Sequence, residues 1–202
     1  GQQQPHTTRS MSELDTRTRI LDEAQALVQR LGANGMSYQH VSDAVGIRKA
    51  SIHHHFPTKG ELLTELLDRY TSVFLDAVDE VLSLDLPAAE RLKRYLKLYE
   101  QPILDNPNHA CLCAMLATEI ESLDERTADR LREFFDVHHR RLAKLLAEGR
   151  REGEFEFEGS PSGLAHTVFA LVEGAGLLAR AEGSGLRRFR ETTRQAQRLI
   201  GA

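Results

Sequence analysis

Residues 48–59 read RKASIHHHFPTK, a stretch of donors with no acidic residue among them. Arg48, Lys49, Ser51, His53, His54, His55 and Lys59 are side chains of the kind that meet phosphate oxygens and base edges. Three adjacent histidines also suggest a metal. On a helix, however, each turns about 100° from the last, so the three cannot converge on one ion. Lys59 follows Pro57-Thr58 at the start of a new helix, where backbone N–H groups and an ammonium can hold the same phosphate. Chemistry aimed at nucleic acid is the reading that uses all of these residues.

A second cluster, His109, Cys111 and Cys113, has the form H-x-C-x-C. On a helix, residues two apart diverge by about 200°, so a single metal would need extended chain there. The cysteines read first as small buried side chains, and next as thiols that respond to oxidants or electrophiles. No metal or cofactor is expected.

The elements that must position these groups are helical throughout. Ile20, Leu21, Ala24, Leu27, Val28 and Leu31 form one apolar stripe, predicting a first helix over about Asp15–Ala33. Ser37 can cap a short helix running to Val45. Gly46 then supplies a turn that needs positive φ, and a second short helix covers about Lys49–His55. Val41, Val45, Ile47 and Ile52 are spaced to close a core between the two. Thr58 and Glu61 make a capping box for a long helix through Leu62, Leu63, Leu66, Leu67, Tyr70, Phe74, Ala77 and Val81. Further helices are expected at about Ala88–Leu104, Ala110–Ser122, Glu125–Glu152, Pro161–Ala181 and Leu186–Ile200. Ser122 with Glu125 reads as another capping box, and Ser160-Pro161 as a cap followed by proline at the first helical position. Two short helices joined by a glycine turn constitute a helix-turn-helix.

The segment from Thr18 to Leu67, RILDEAQALVQRLGANGMSYQHVSDAVGIRKASIHHHFPTKGELL at its centre, resembles the DNA-binding domain of the tetracycline-repressor (TetR) family. Gly46-Ile47, Ile52, His55-Phe56, Lys59 and Leu62-Leu63 carry the most specific part of the likeness. The resemblance implies roles at matching positions: Ser37 capping a helix and touching phosphate, and Arg48, Lys49 and Ser51 at the groove. It also implies His55 and Lys59 on phosphate, with Phe56 wedging the recognition helix against its core. His53 stands where the family usually has tyrosine, and Ser42 where it usually has alanine. Arg17 and Arg19 are open to phosphate contact or to plain surface charge.

The resemblance further implies an all-α chain: a three-helix DNA-binding head, then a helical bundle that binds a small-molecule effector and dimerises through its last two long helices. Residues 1–14 read as an expression remnant or disordered lead-in, 15–60 as the head, and 61–202 as the effector and dimerisation unit. Gly174-Ala175-Gly176 suits close helix approach, between protomers or within one. Phe74, Tyr95, Tyr99, Cys113, Leu116, Phe134, His138, His166 and Phe169 are candidate pocket walls, each equally readable as core. His138 interrupts the apolar stripe of its helix, and a buried imidazole needs a partner. Arg190, Arg194 and Arg198 form a basic stripe that reads as a solvated or rim face.

The chain has 202 residues, 41% hydrophobic and 28% charged, with a net charge of −4. That balance excludes a generally basic surface, so DNA must be met by a local patch. No apolar run in the sequence approaches the roughly 18 residues of a membrane span. Two cysteines so close together do not indicate an oxidising compartment, so a cytoplasmic site is expected. Hydrolase, P-loop and zinc-protease motifs are missing, so an enzyme is not expected. The expected function is a dimeric, ligand-released repressor on a pseudo-palindromic double-stranded operator. The alternative is a helical small-molecule or redox sensor responding through Cys111 and Cys113.

Overall fold

A computed structural model describes residues 6–183 and 185–202, with side chains from residue 12 onward. Among the described residues the protein is all-α: α1 (His6–Leu31), α2 (Tyr38–Val45), α3 (Lys49–His55), α4 (Lys59–Leu82), α5 (Ala88–Asp105), α6 (Leu112–Thr118), α7 (Glu125–Arg151), α8 (Pro161–Ala181) and α9 (Gly185–Ile200). A single 3₁₀ turn, Ile120–Ser122, follows α6.

Four sequence expectations are corrected. Helix α1 starts at His6 rather than near Asp15, so residues 6–14 are helical and not a disordered lead-in. No proline or glycine interrupts 6–31, and extending an existing helix costs far less than nucleating one. The rest of the expected lead-in, residues 1–5, lies outside the described residues. The helix expected over Ala110–Ser122 is shorter and breaks at Glu119. Asp124, not Ser122, caps α7, its carboxylate accepting from Thr127 N at 2.8 Å. Leu31, placed on the buried stripe of α1, is 45% exposed.

Elsewhere the local chemistry gives the expected local structure. Thr58 Oγ1 accepts from Glu61 N, while the Glu61 carboxylate accepts from Thr58 N at 2.9 Å, closing the capping box of α4. Ser160 caps α8 by accepting from Gly163 N at 3.0 Å. The acidic segment after α7 has no regular structure. Its Glu154 carboxylate instead accepts from Ala88 N and Ala89 N at the start of α5, at 3.0 and 2.9 Å, where an anion suits the helix dipole.

Two hydrophobic cores result. The first joins Ile20, Ala24, Val28, Val41, Ile52, Phe56 and Leu62 of the N-terminal helices to Leu112, Leu116 and Leu131. The second gathers Val78, Leu92, Tyr95, Leu142, Val172 and Phe189 within the bundle formed by α4, α5 and α7–α9. Each fully buried Val, Leu, Ile or Phe among them contributes about 1.5–3 kcal/mol of burial free energy.

Candidate nucleic-acid interface and effector cavity

The N-terminal helices are fastened by side chains that satisfy backbone carbonyls left open at helix ends. Gly46 adopts φ +76° and ends α2. The Ser42 hydroxyl donates to Ile47 O at 2.5 Å, so the serine found in place of alanine ties the turn. Tyr38 Oη donates to Phe56 O at 2.8 Å; burial, with Glu61 nearby, pushes its phenol up to about 12. Arg19 donates to Val45 O at 2.8 Å. Arg17 donates to His55 O at 2.9 Å, pairs with Glu65, and lies 4.2 Å from the Phe56 ring centroid. Both arginines thus spend donors on backbone carbonyls, Arg17 half-buried and Arg19 exposed, and Phe56 is 1% exposed, held under the recognition helix.

What α3 leaves outward is donor chemistry. Arg48, Lys49, Ser51, His53 and His54 are exposed, and among the described residues neither Arg48 nor Lys49 forms an ion pair. His53 leans on Tyr38 with ring centroids 4.6 Å apart. Ser37 Oγ caps α2, accepting from His40 N at 3.2 Å. His55 is half-buried and its pKa is lowered, by burial first and then by His54 and Arg17. Lys59 donates to Met36 O at 2.6 Å. Partial burial lowers its pKa, and the Glu119 carboxylate opposes that shift. An ammonium has three donors, so this bond leaves two for a phosphate.

Glu119 also accepts from Ala33 N at 2.6 Å and Asn34 N at 3.1 Å, gripping the chain between α1 and α2. At the other end of α6, Gln29 and Ala110 exchange two bonds, Ala110 N to Gln29 O at 3.1 Å and Gln29 Nε2 to Ala110 O at 3.0 Å.

Between these bonds and α8 lies a cavity of about 60 Å³. Of the expected walls, Phe74, Tyr99 and Phe134 line it. The other expected residues do not. Leu116 and Cys113 are sealed in the first core, and Phe169 packs 4.5 Å from the His138 ring. His166 is exposed on the outer side of α8, stacked on His139 at 3.5 Å. His138 is fully buried, and its partners are tyrosines rather than a ligand: Nε2 lies 2.9 Å from both Tyr95 Oη and Tyr99 Oη. Burial, with Arg141 and His139 nearby, pushes its pKa down to about 4, and Nδ1 has no partner.

Sequence reasoning missed the polar wall: Gln29, Tyr70, His109, Cys111 and Glu173. Tyr70 Oη donates to Cys111 Sγ at 3.6 Å. Hydrogen bonds from the Cys113 thiol and Tyr70 hold the Cys111 thiol below its ordinary range. Burial pushes Cys113 and Glu173 well up. Glu173 had a legible signal, as the one carboxylate on an otherwise apolar α8.

Helix α8 carries an 18-residue stretch of mean hydropathy 1.3 that is only 28% buried, with His166, Ala170 and Leu178 exposed at four- and eight-residue spacings. Side chains built at Gly174 and Gly176 would meet nothing within 4 Å, so these glycines serve no close packing inside the protomer. On α9, Arg190 bonds Glu100 and Arg194 bonds Glu191, which accounts for most of the basic stripe as surface ion pairs.

Comparison with known proteins agrees with this layout. Residues 20–66 match the family described as bacterial regulatory proteins, tetR family. Residues 88–195 match the tetracyclin repressor-like C-terminal domain. A TetR-family transcriptional regulator from Agrobacterium tumefaciens is 34% identical and superimposes with a TM-score of 0.88, over 93% of this chain and 99% of that one. The HTH-type transcriptional repressor NemR of Escherichia coli is 26% identical over 84% of this chain and 86% of its own length. The nucleoid occlusion factor SlmA of Vibrio atlanticus is 26% identical over 75% of this chain and 78% of its own. A DNA-reading head, a second helical core and matches to both halves together place the chain in the TetR family of ligand-responsive, DNA-binding transcriptional regulators.

Proposed function

We propose that the chain acts in the cytoplasm as a homodimeric repressor, released from its operator when a small molecule enters the cavity beside Glu173. The carrying observation is the pairing of an inward-fastened head with an outward, acid-free donor face on α3. Arg48, Lys49 and Ser51 meet base edges in the major groove; Ser37, His53, His54, His55 and Lys59 hold backbone phosphates. A phosphate beside His55 or Lys59 offsets the desolvation that lowers their pKa values. No step of this reading asks the protein for catalysis.

Two such heads read a pseudo-palindrome when their recognition helices stand about 34–36 Å apart, one turn of DNA. The exposed apolar face of α8 supports dimerisation, since an uncovered apolar helix gains by pairing with its symmetry mate. The cavity is small, so an occupant must push α4 and α8 apart. Helix α4 carries Lys59 in its first turn, so that displacement changes the head spacing and lowers affinity.

The test is titration of the protein against DNA flanking its own gene, at two salt concentrations. Saturable, salt-sensitive binding is expected, with Lys59→Ala weakening all sequences alike and lowering the salt slope by about 1. Lys49→Ala should change which sequence is preferred. Absence of binding at low salt, or full binding by both variants, would overturn the reading. A monomer by analytical ultracentrifugation would remove the two-head geometry.

A further inference from the structure

We propose that the effector is an organic cation of the amine or quaternary-ammonium class, seated in the cavity with its charge against Glu173. The proposal rests on the regulator reading above and names the chemistry of that same cavity. Its lining contains no lysine or arginine, so nothing there would neutralise an anionic ligand. For a purely apolar ligand, a carboxyl sunk among Val172, Leu177 and Phe189 is a cost without a return. Among the described residues Glu173 forms no ion pair, and the Cys111 thiol lies beside it.

The groups facing Glu173 share one property. Cys111 and Cys113 at the start of α6, Tyr70 on α4, and Tyr95 and Tyr99 on α5 are all acids; burial first, with Glu173 adding to it, pushes Cys113 and the three tyrosines up, while hydrogen bonds hold the Cys111 thiol down. The single base at the wall, His109, is held toward its neutral form by burial and by Arg30 and Arg180. A positive charge arriving here favours the ionised form of each of these acids and asks nothing of the neutral imidazole, whereas a negative charge opposes their ionisation. The aromatic rings of Tyr70, Phe74, Tyr99 and Phe134 on the same wall supply the negative faces that attract an ammonium. A carboxyl whose pKa burial raises in the empty cavity, and a bound cation lowers again, releases up to one proton per ligand. Affinity for a cation of fixed charge therefore rises with pH.

The probe is tetramethylammonium, with tert-butanol as a neutral molecule of similar size, each titrated into the full-length protein by calorimetry. Tetramethylammonium is expected to bind saturably and at least about tenfold tighter than tert-butanol. Its affinity should climb as pH rises, with up to one proton released in buffers of different ionisation heat. Glu173→Gln should remove the proton release and about tenfold or more of the affinity, while tert-butanol binding is unchanged. Glu173→Asp, which keeps the acid, should retain proton release if Glu173→Gln fails to fold. Equal binding of the two probes, full affinity in Glu173→Gln, or no proton release in wild type overturns the proposal. Operator binding is measured on the same samples. DNA binding without tetramethylammonium binding sinks the cation and leaves the repressor; the reverse sinks the repressor.

Discussion

The head and the sensory core satisfy their polar groups in opposite ways. In the head, carbonyls at Met36, Val45, His55 and Phe56 each accept a side-chain donor from another element, and Ile47 O accepts one from Ser42 across its own turn. In the core, His138 Nδ1, His139 Nδ1 and Arg141 Nη1 are the buried side-chain nitrogens without a partner among the described residues, all of them on α7. A surface that presents donors at fixed spacing gains from rigidity, whereas the three open nitrogens of α7 lie outside the cavity lining and leave that helix less tightly fastened to its neighbours.

The largest test of this contrast is Phe56→Ala. Removing a ring that is 1% exposed and stacked under Arg17 should cost about 3–5 kcal/mol in urea unfolding, and DNA binding should disappear with it. A loss under about 1 kcal/mol would mean the head is not closed in the way described.

The core should show its openness in acid. His138 titrates near 4 in the folded chain and near 6.5 when unfolded. Its neutral form is therefore favoured by folding. Stability from this source is complete above about pH 6.5 and drains away as pH falls toward 4, by about 3 kcal/mol in all. Urea midpoints at pH 7 and pH 4.5 measure the drop, and His138→Phe should flatten it. An unchanged slope in that variant would place the acid sensitivity elsewhere.

Gly46→Ala comes next. Nothing lies within 4 Å of the added carbon, so the whole penalty is the left-handed φ, about 1–2 kcal/mol. Asn at the same position should cost less, and cavity ligands should bind both variants normally. Ser42→Ala is the mildest. Losing one hydroxyl bond to Ile47 O should cost about 1 kcal/mol, read as a small fall in melting temperature with operator preference unchanged.

The same contrast explains what the sequence made legible. Caps and turns are local: Ser37, Gly46, Thr58 with Glu61, and Ser160 act within four residues of themselves, so α2, α3, α4 and α8 begin and end near where the residue pattern puts them. The donor face of α3 is local too. The cavity is not, because Gln29, Tyr70, Cys111 and Glu173 come from four separate segments that meet only after folding. His138 was found as a polar break in an apolar stripe, but its partners, Tyr95 and Tyr99, lie on another helix. Glu173 breaks α8 in the same way and was overlooked, because that helix invited reading as a contact surface.

Helix α6 carries a consequence for how such proteins can be recombined. Leu112 and Leu116 are fully buried in the same core as Ile20, Val28 and Ile52, so the hydrophobic unit does not end where the DNA-reading sequence ends. A chimera that grafts residues 15–60 onto a foreign sensor would leave that apolar seam facing whatever the new host supplies. The inheritable module is the head together with the opening turns of α4 and the short helix that plugs it from more than fifty positions downstream.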